Sequence, residues 1–188
     1  MRDVFKNAPL RRFFVTMFMV YAAWFVVYDL WLLPDGRLDA WLSMNIATVS
    51  AQSLALLGFE ATAQGRLVTM PGGAGILIEN GCNGLSTISL FVGFVVAFPG
   101  LWRRRAWFIP LGILVIYLTN VFRCVSLLWL QVHWPSMFGS VHGFHALFIF
   151  YVVVFLLWMA WANYGGQPGG ETPPAAPPTG SPATPALT

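Results

Sequence analysis

Val95-Val96-Ala97-Phe98-Pro99-Gly100-Leu101-Trp102-Arg103-Arg104-Arg105-Ala106-Trp107-Phe108-Ile109 places three consecutive arginines between two apolar runs. The upstream run reaches back to Leu85, and the downstream one continues to about residue 130. Both approach the ~20 apolar residues a helix needs to cross a hydrocarbon layer of about 30 Å. Lipid offers no partner to exposed backbone groups, so such runs are read as helices. Two further blocks, residues 13–33 and 145–162, have the same character. The chain of 188 residues is 57% hydrophobic and 9% charged, a balance that excludes an ordinary soluble domain of this size.

The basic residues then set the orientation. Arg2, Lys6, Arg11 and Arg12 precede the first block, and Arg103 to Arg105 separate the second from the third. Lysine and arginine near span ends stay on the cytoplasmic side. Two such clusters, two spans apart, place both termini inside and leave residues 34–81 and 133–141 outside. The net charge of +3 is thus a topology signal, and no nucleic-acid partner is expected. The first block is longer than the core of a cleaved signal, about 7–15 residues. It ends in Tyr28-Asp29-Leu30-Trp31-Leu32-Leu33-Pro34 without a small-x-small site, which predicts a retained helix.

The chain divides into a cytoplasmic N-terminus (1–12), a membrane domain (13–164) and a Pro/Gly/Thr-rich tail (165–188). The tail's composition predicts disorder on the cytoplasmic side. In the outer segment, residues 38–57 carry apolar residues at helical spacing and predict an amphipathic helix in the interface. Residues 65–70 and 74–79, joined by Pro71-Gly72-Gly73, predict a short β-hairpin. The expected fold is an all-α polytopic membrane protein with about four transmembrane helices, an outer amphipathic helix and that hairpin.

Chemistry is concentrated where the hairpin meets the second block, in Leu77-Ile78-Glu79-Asn80-Gly81-Cys82-Asn83-Gly84-Leu85. A lone cysteine in a membrane helix is commonly a small apolar filler. Cys82, however, is bracketed by Gly81 and Gly84 at a predicted helix N-terminus, where unsatisfied amides favour a thiolate. Arg123 interrupts the third block about 25 Å along its helix, which puts it at the depth of Cys82. An interfacial arginine can snorkel to headgroups. A charge exposed to lipid costs at least ~2.5–3.5 kcal/mol, so a site is the standing alternative. Asn120 lies one turn earlier on the same face. His142 and His145 are read as opening the fourth block, and an imidazole there suits proton transfer. Glu79 is the only carboxylate close to the thiol in sequence, and Arg66 is its expected partner. Cys124 raises a separate possibility, a disulfide to Cys82, although no Cys-x-x-Cys pair is present. Arg123 and Cys124 sit about 100° apart on a helix, so one of them faces Cys82, and Arg123 is the expected one. The acidic residues are dispersed, and neither a metal nor a cofactor is expected.

Glu79-Asn80-Gly81-Cys82-Asn83-Gly84, then Asn120-x-x-Arg123, then a histidine in the last block, resembles the exosortase/archaeosortase family, most closely its exosortase H type. The resemblance covers about residues 34–161. It implies a cysteine protease/transpeptidase of the cytoplasmic membrane with its site on the extracytoplasmic side. Its substrates would be secreted proteins ending in a short motif, a transmembrane helix and a basic cluster. The family cysteine falls on Cys82, its arginine on Arg123 and its histidine on His142, with His145, Asn120, Glu79, Asn83 and Gly84 in support. Many relatives carry serine after the cysteine where this chain has Asn83, and larger ones carry additional N-terminal spans. The residues also admit a non-enzymatic subunit binding lipid or partner helices, or a membrane thiol redox protein.

Overall fold

The computed structural model describes residues 8–166, and within them the side chains of Pro9 and of residues 139–147 are left out of the description. Helix α1 (Ala8–Trp24) widens into a π-helical stretch, Phe25–Leu32, and closes with the single turn α2 (Leu33–Asp35). Gly36 reverses the chain into α3 (Arg37–Leu56). Strands β1 (Thr62–Gln64), β2 (Leu67–Thr69) and β3 (Ile76–Leu77) follow. A 3-10 turn, Asn80–Cys82, leads into α4 (Leu85–Ala97), and then come α5 (Trp102–His133) and α6 (Pro135–Tyr164).

Among the described residues two helical stretches are long and apolar enough to cross a membrane, Leu10–Asp35 and Trp102–His133. The first is covered on one face by α4, through Phe13 edge-on to Phe94 and Phe98. Its other faces expose Phe14, Phe18, Met19, Tyr21, Phe25, Leu30 and Trp31. An apolar surface of that extent belongs in lipid. This is a mostly helical membrane protein. The expected second and fourth spans are shorter as apolar helices, Leu85–Ala97 and the stretch Phe148–Tyr164 of α6. At 13 residues α4 rises about 20 Å, less than the hydrocarbon thickness.

Three further expectations are corrected. Arg103, Arg104 and Arg105 lie in the first turn of α5 rather than in a loop. Arg104 donates to the carbonyls of Tyr164 and Gly166, and Arg105 to that of Phe98, so the arginines tie the ends of α4 and α6 to the start of α5. The stretch 133–141 is not a loop either, because α6 begins at Pro135. Proline at the first helical position has the required φ and gives up an amide that has no intrahelical partner anyway. His142 and His145 therefore fall inside α6 instead of opening it. Finally, the hairpin is one edge of a three-stranded sheet, order β1-β2-β3 and antiparallel throughout. Gln64 pairs with Leu67 across a two-residue loop that holds Gly65, so β1 lies before the residues read as strand.

The core forms two clusters. The outer one gathers Leu42, Ile46 and Leu54 of α3, Val68, Met70, Ile76 and Ile78 of the sheet region, and Val121, Cys124, Leu127 and Leu128 of α5. Helix α3 is thus packed on α5 and the sheet along a buried face. The second cluster joins Phe91 and Val95 of α4, Ile116 of α5, and Phe150, Val154 and Trp161 of α6. Gly112 permits this packing: a Cβ there would stand 2.1 Å from the Phe91 ring. The polar residues of interest lie at the seam between the clusters.

Candidate active site

Cys82 ends the 3-10 turn that β3 feeds, three residues before α4 begins. Its amide donates to the Glu79 carbonyl at 2.9 Å. Its carbonyl accepts from Asn120 Nδ2 at 3.0 Å. The next residue, Asn83, is 2% exposed and held on both ends of its amide: Oδ1 accepts the Leu85 N–H at 3.0 Å, and Nδ2 donates to Asp39 Oδ1 at 2.6 Å. Gly84 caps α4 in the left-handed region, φ 81°, and a Cβ there would come within 3.3 Å of Asn120 Nδ2. The backbone around the thiol is therefore pinned from α3 and α5 together.

Arg123 approaches from the other side. It is buried, with Nε lacking a partner, and its guanidinium makes no hydrogen bond to a described residue. The Cζ atom stands 5.6 Å from the Phe150 ring centroid, a cation–π contact with α6. Arg123 and Cys82 line one cleft of about 1070 Å³ between α4, α5 and α6. Thr87 and Ser86 add hydroxyls on the α4 wall, and the α6 wall from Phe148 to Trp158 is apolar or aromatic. Asn120, one turn before Arg123, spends Nδ2 on Cys82 while its Oδ1 is buried without a partner.

The structure thus brings together Cys82, Gly84, Asn83, Asn120 and Arg123. Glu79 is exposed, and Arg66 donates to Asn80 Oδ1 at 2.6 Å instead of meeting Glu79. Asn80 is nearer the Arg66 side chain because the Ile78 amide, bonded to the Arg66 carbonyl, sets the register. Cys124 is 1% exposed in the outer cluster, and both cysteines are free. His142 and His145 belong to α6, but their side chains lie outside the described residues. His133 stacks on Trp129 at 4.6 Å and is bonded to the Trp129 carbonyl, away from the cleft. Among the described residues no metal-holding group of histidine, cysteine or carboxylate side chains occurs.

Sequence reading missed Asp39 and Tyr28. Asp39 is 0% exposed, and the Tyr28 hydroxyl donates to it at 3.1 and 3.2 Å. The signal was present: Asp39 shares the helical repeat of Leu42, Ser43, Ile46 and Ser50, all buried, so it falls on the packed face of α3.

A family model described as transmembrane exosortase (Exosortase_EpsH) matches residues 4–159. No curated protein and no solved structure matches the chain.

Proposed function

The chain belongs to the transmembrane exosortase family, and from that premise we propose that it is a cysteine protease/transpeptidase cutting secreted proteins beside a C-terminal membrane helix. The observation that carries this reading is the shared cleft: a thiol from the turn before α4 and a buried guanidinium from α5, its Nε without a partner among the described residues, line one largely apolar space. The rigid turn around Cys82 holds the thiol at the mouth of α4, while the α6 wall offers a surface suited to an apolar helix.

In the proposed reaction, the Cys82 thiol gives its proton to His142, and Sγ attacks the carbonyl carbon of the scissile amide. The tetrahedral oxyanion is held by Arg123, whose fork of donors acts more strongly on a charge within a mostly apolar lining. Collapse breaks the C–N bond, and His142 returns the proton to the leaving amine. The resulting thioester on Cys82 is released by an incoming amine, giving a new amide, or by water, giving an acid; in both cases the thiol is regenerated.

Depth supports an extracytoplasmic site. Arg123 lies 20 residues beyond Arg103 on one helix, 123 minus 103, or about 30 Å. That is the thickness of the hydrocarbon layer. With the arginines of α5 inside, Cys82 and Arg123 stand at the outer boundary of the cytoplasmic membrane, where the motif of a membrane-arrested secreted protein would be exposed. Membrane lipid and such substrates are the partners this reading requires.

The test is co-expression with a secreted protein bearing a motif, helix and basic cluster at its C-terminus, drawn from the same genome. Wild type is expected to shorten it. Cys82→Ala is expected to leave it uncut while remaining in the membrane. Processing by Cys82→Ala at the wild-type rate overturns the reading in favour of a lipid- or helix-binding subunit.

A further inference from the structure

The least expected group in the chain is the carboxylate of Asp39. It is wholly buried against an apolar core, and its recorded partners are the Tyr28 hydroxyl and the Asn83 amide. No cation among the described residues bonds to it. Burying a carboxylate without a counter-ion is costly, so its retained hydrogen bonds must each be well made. The 2.6 Å contact to Asn83 Nδ2 is a charge-assisted bond of that kind. Both donors are themselves fixed. Tyr28 stacks on Trp24 with centroids 4.9 Å apart, inside the π-helical stretch. The wider turn there is a departure that recurs at functional sites. Asn83 is locked by its second bond, Oδ1 to the Leu85 amide at the first residue of α4.

We propose that Asp39 is a positioning residue for the nucleophile: through Asn83 it sets the rotation of the Cys82 turn and so aims the thiol into the cleft. This rests on the catalytic reading of Cys82 given above. The physical route is short. Asp39 orients the Asn83 amide plane. That plane presents Oδ1 to the first free amide of α4, and the position of Asn83 fixes the adjoining Cys82 backbone, whose carbonyl is gripped from the opposite side by Asn120. Releasing Asn83 leaves Cys82 held on one side alone.

The donor and acceptor pattern supplies the test. In Asn83→Asp, two carboxyl groups meet at the position of the 2.6 Å contact without the amide donor; ionised they repel and push the turn away, and a shared proton is their one escape, so alkylation is followed at alkaline pH, which opposes that proton. In the exchanged pair Asp39→Asn with Asn83→Asp, the amide now sits on α3. It donates to the new carboxylate, still accepts from Tyr28, and leaves the Leu85 amide its acceptor. Each chain carries Cys124→Ala, so that Cys82 is the one thiol. Iodoacetamide alkylation of Cys82 is followed by mass spectrometry on protein in liposomes, beside substrate processing.

Asn83→Asp is expected to be alkylated about tenfold more slowly, as a single phase, with processing falling at least as far; the exchanged pair is expected within about threefold of the parent. A merely destabilised chain instead divides into folded molecules alkylated at the parent rate and an unfolded fraction alkylated separately. Single-phase alkylation of Asn83→Asp at the parent rate, a two-phase split with the parent rate retained, or an exchanged pair as slow as Asn83→Asp overturns the assignment. Failure of the catalytic reading shows elsewhere. It appears as undiminished processing by Cys82→Ala, whatever the alkylation rates.

Discussion

The two sides of Cys82 are built on opposite plans. Toward α3 and α5 the turn itself is tied down: Asn83 is bonded at both ends, Asp39 takes two donors, and the Cys82 amide and carbonyl each have a partner. Toward α6 the described wall is apolar or aromatic, and Arg123 Nε has no partner among the described residues. Saturated hydrogen bonding makes a turn rigid, because each bond lost in a buried place costs about 1–3 kcal/mol. A buried guanidinium with a donor left over does the reverse: burial makes an anion beside it more favourable. The contrast teaches where the molecule is preorganised and where it waits.

The sharpest way to break the comparison is to remove the proton carrier from the waiting side. On a regular helix of 100° per residue, position 142 lies about 80° around from Phe150 and position 145 about 140°. Phe150 is an α6 residue that contacts Arg123, and the smaller angle agrees with the family resemblance, which names His142. His142→Ala is expected to lose about 10²–10⁴-fold in processing, and His145→Ala much less. The sign of the pH dependence follows from the chemistry. A general base accepts a proton only when it does not already carry one, so the rate is expected to fall toward acid pH. That acid limb is expected to vanish in His142→Ala, measured on enzyme in liposomes. Wild-type rates in both mutants would remove general-base catalysis from α6.

Arg123 gives a somewhat smaller effect and tests whether the waiting group acts by charge or by shape. Arg123→Ala is expected to lower processing about 10²–10³-fold, the range for one oxyanion donor set. Arg123→Lys is expected to recover little, since a point charge on a flexible stem does not reproduce a planar fork. Near-normal rates in Arg123→Lys would mean that a cation at the boundary suffices, as for an arginine that merely meets headgroups.

How far was this legible in the sequence? Cys82 and Arg123 were placed at one depth by counting residues along helices from the arginine cluster, and the structure puts both in one cleft. That count works because an α-helix has a fixed rise. The Asp39–Asn83 contact was not legible, since it joins residues 44 apart through the packing of α3 on the Cys82 turn. Strand β1 is three residues long, too short for an alternating pattern to register. Residues 133–141 read as an outer loop because they fall between two apolar blocks on the side opposite the arginines; Pro135 is equally at home as the first residue of a helix.

The smallest expected effect belongs to the residue next to Arg123. Cys124 is turned about 100° from it and buried in the outer cluster among Leu127, Leu128 and Val121. Both cysteines are free, and Cys82 is engaged in the cleft wall while Cys124 is enclosed by core. Cys124→Ala removes a small apolar side chain of low polarity, leaving a void near methyl size, which costs about 1 kcal/mol of stability. Processing is expected to stay within about threefold of wild type, and non-reducing mass mapping is expected to find Cys82 alkylatable in the untreated enzyme. Were Cys124→Ala as inactive as Cys82→Ala, with the two sulfurs recovered in one cross-linked peptide, the thiol would be part of a redox pair. The open side of Cys82 would then be awaiting an electron acceptor instead of a scissile amide, and Arg123 would serve the thiolate that shares its cleft.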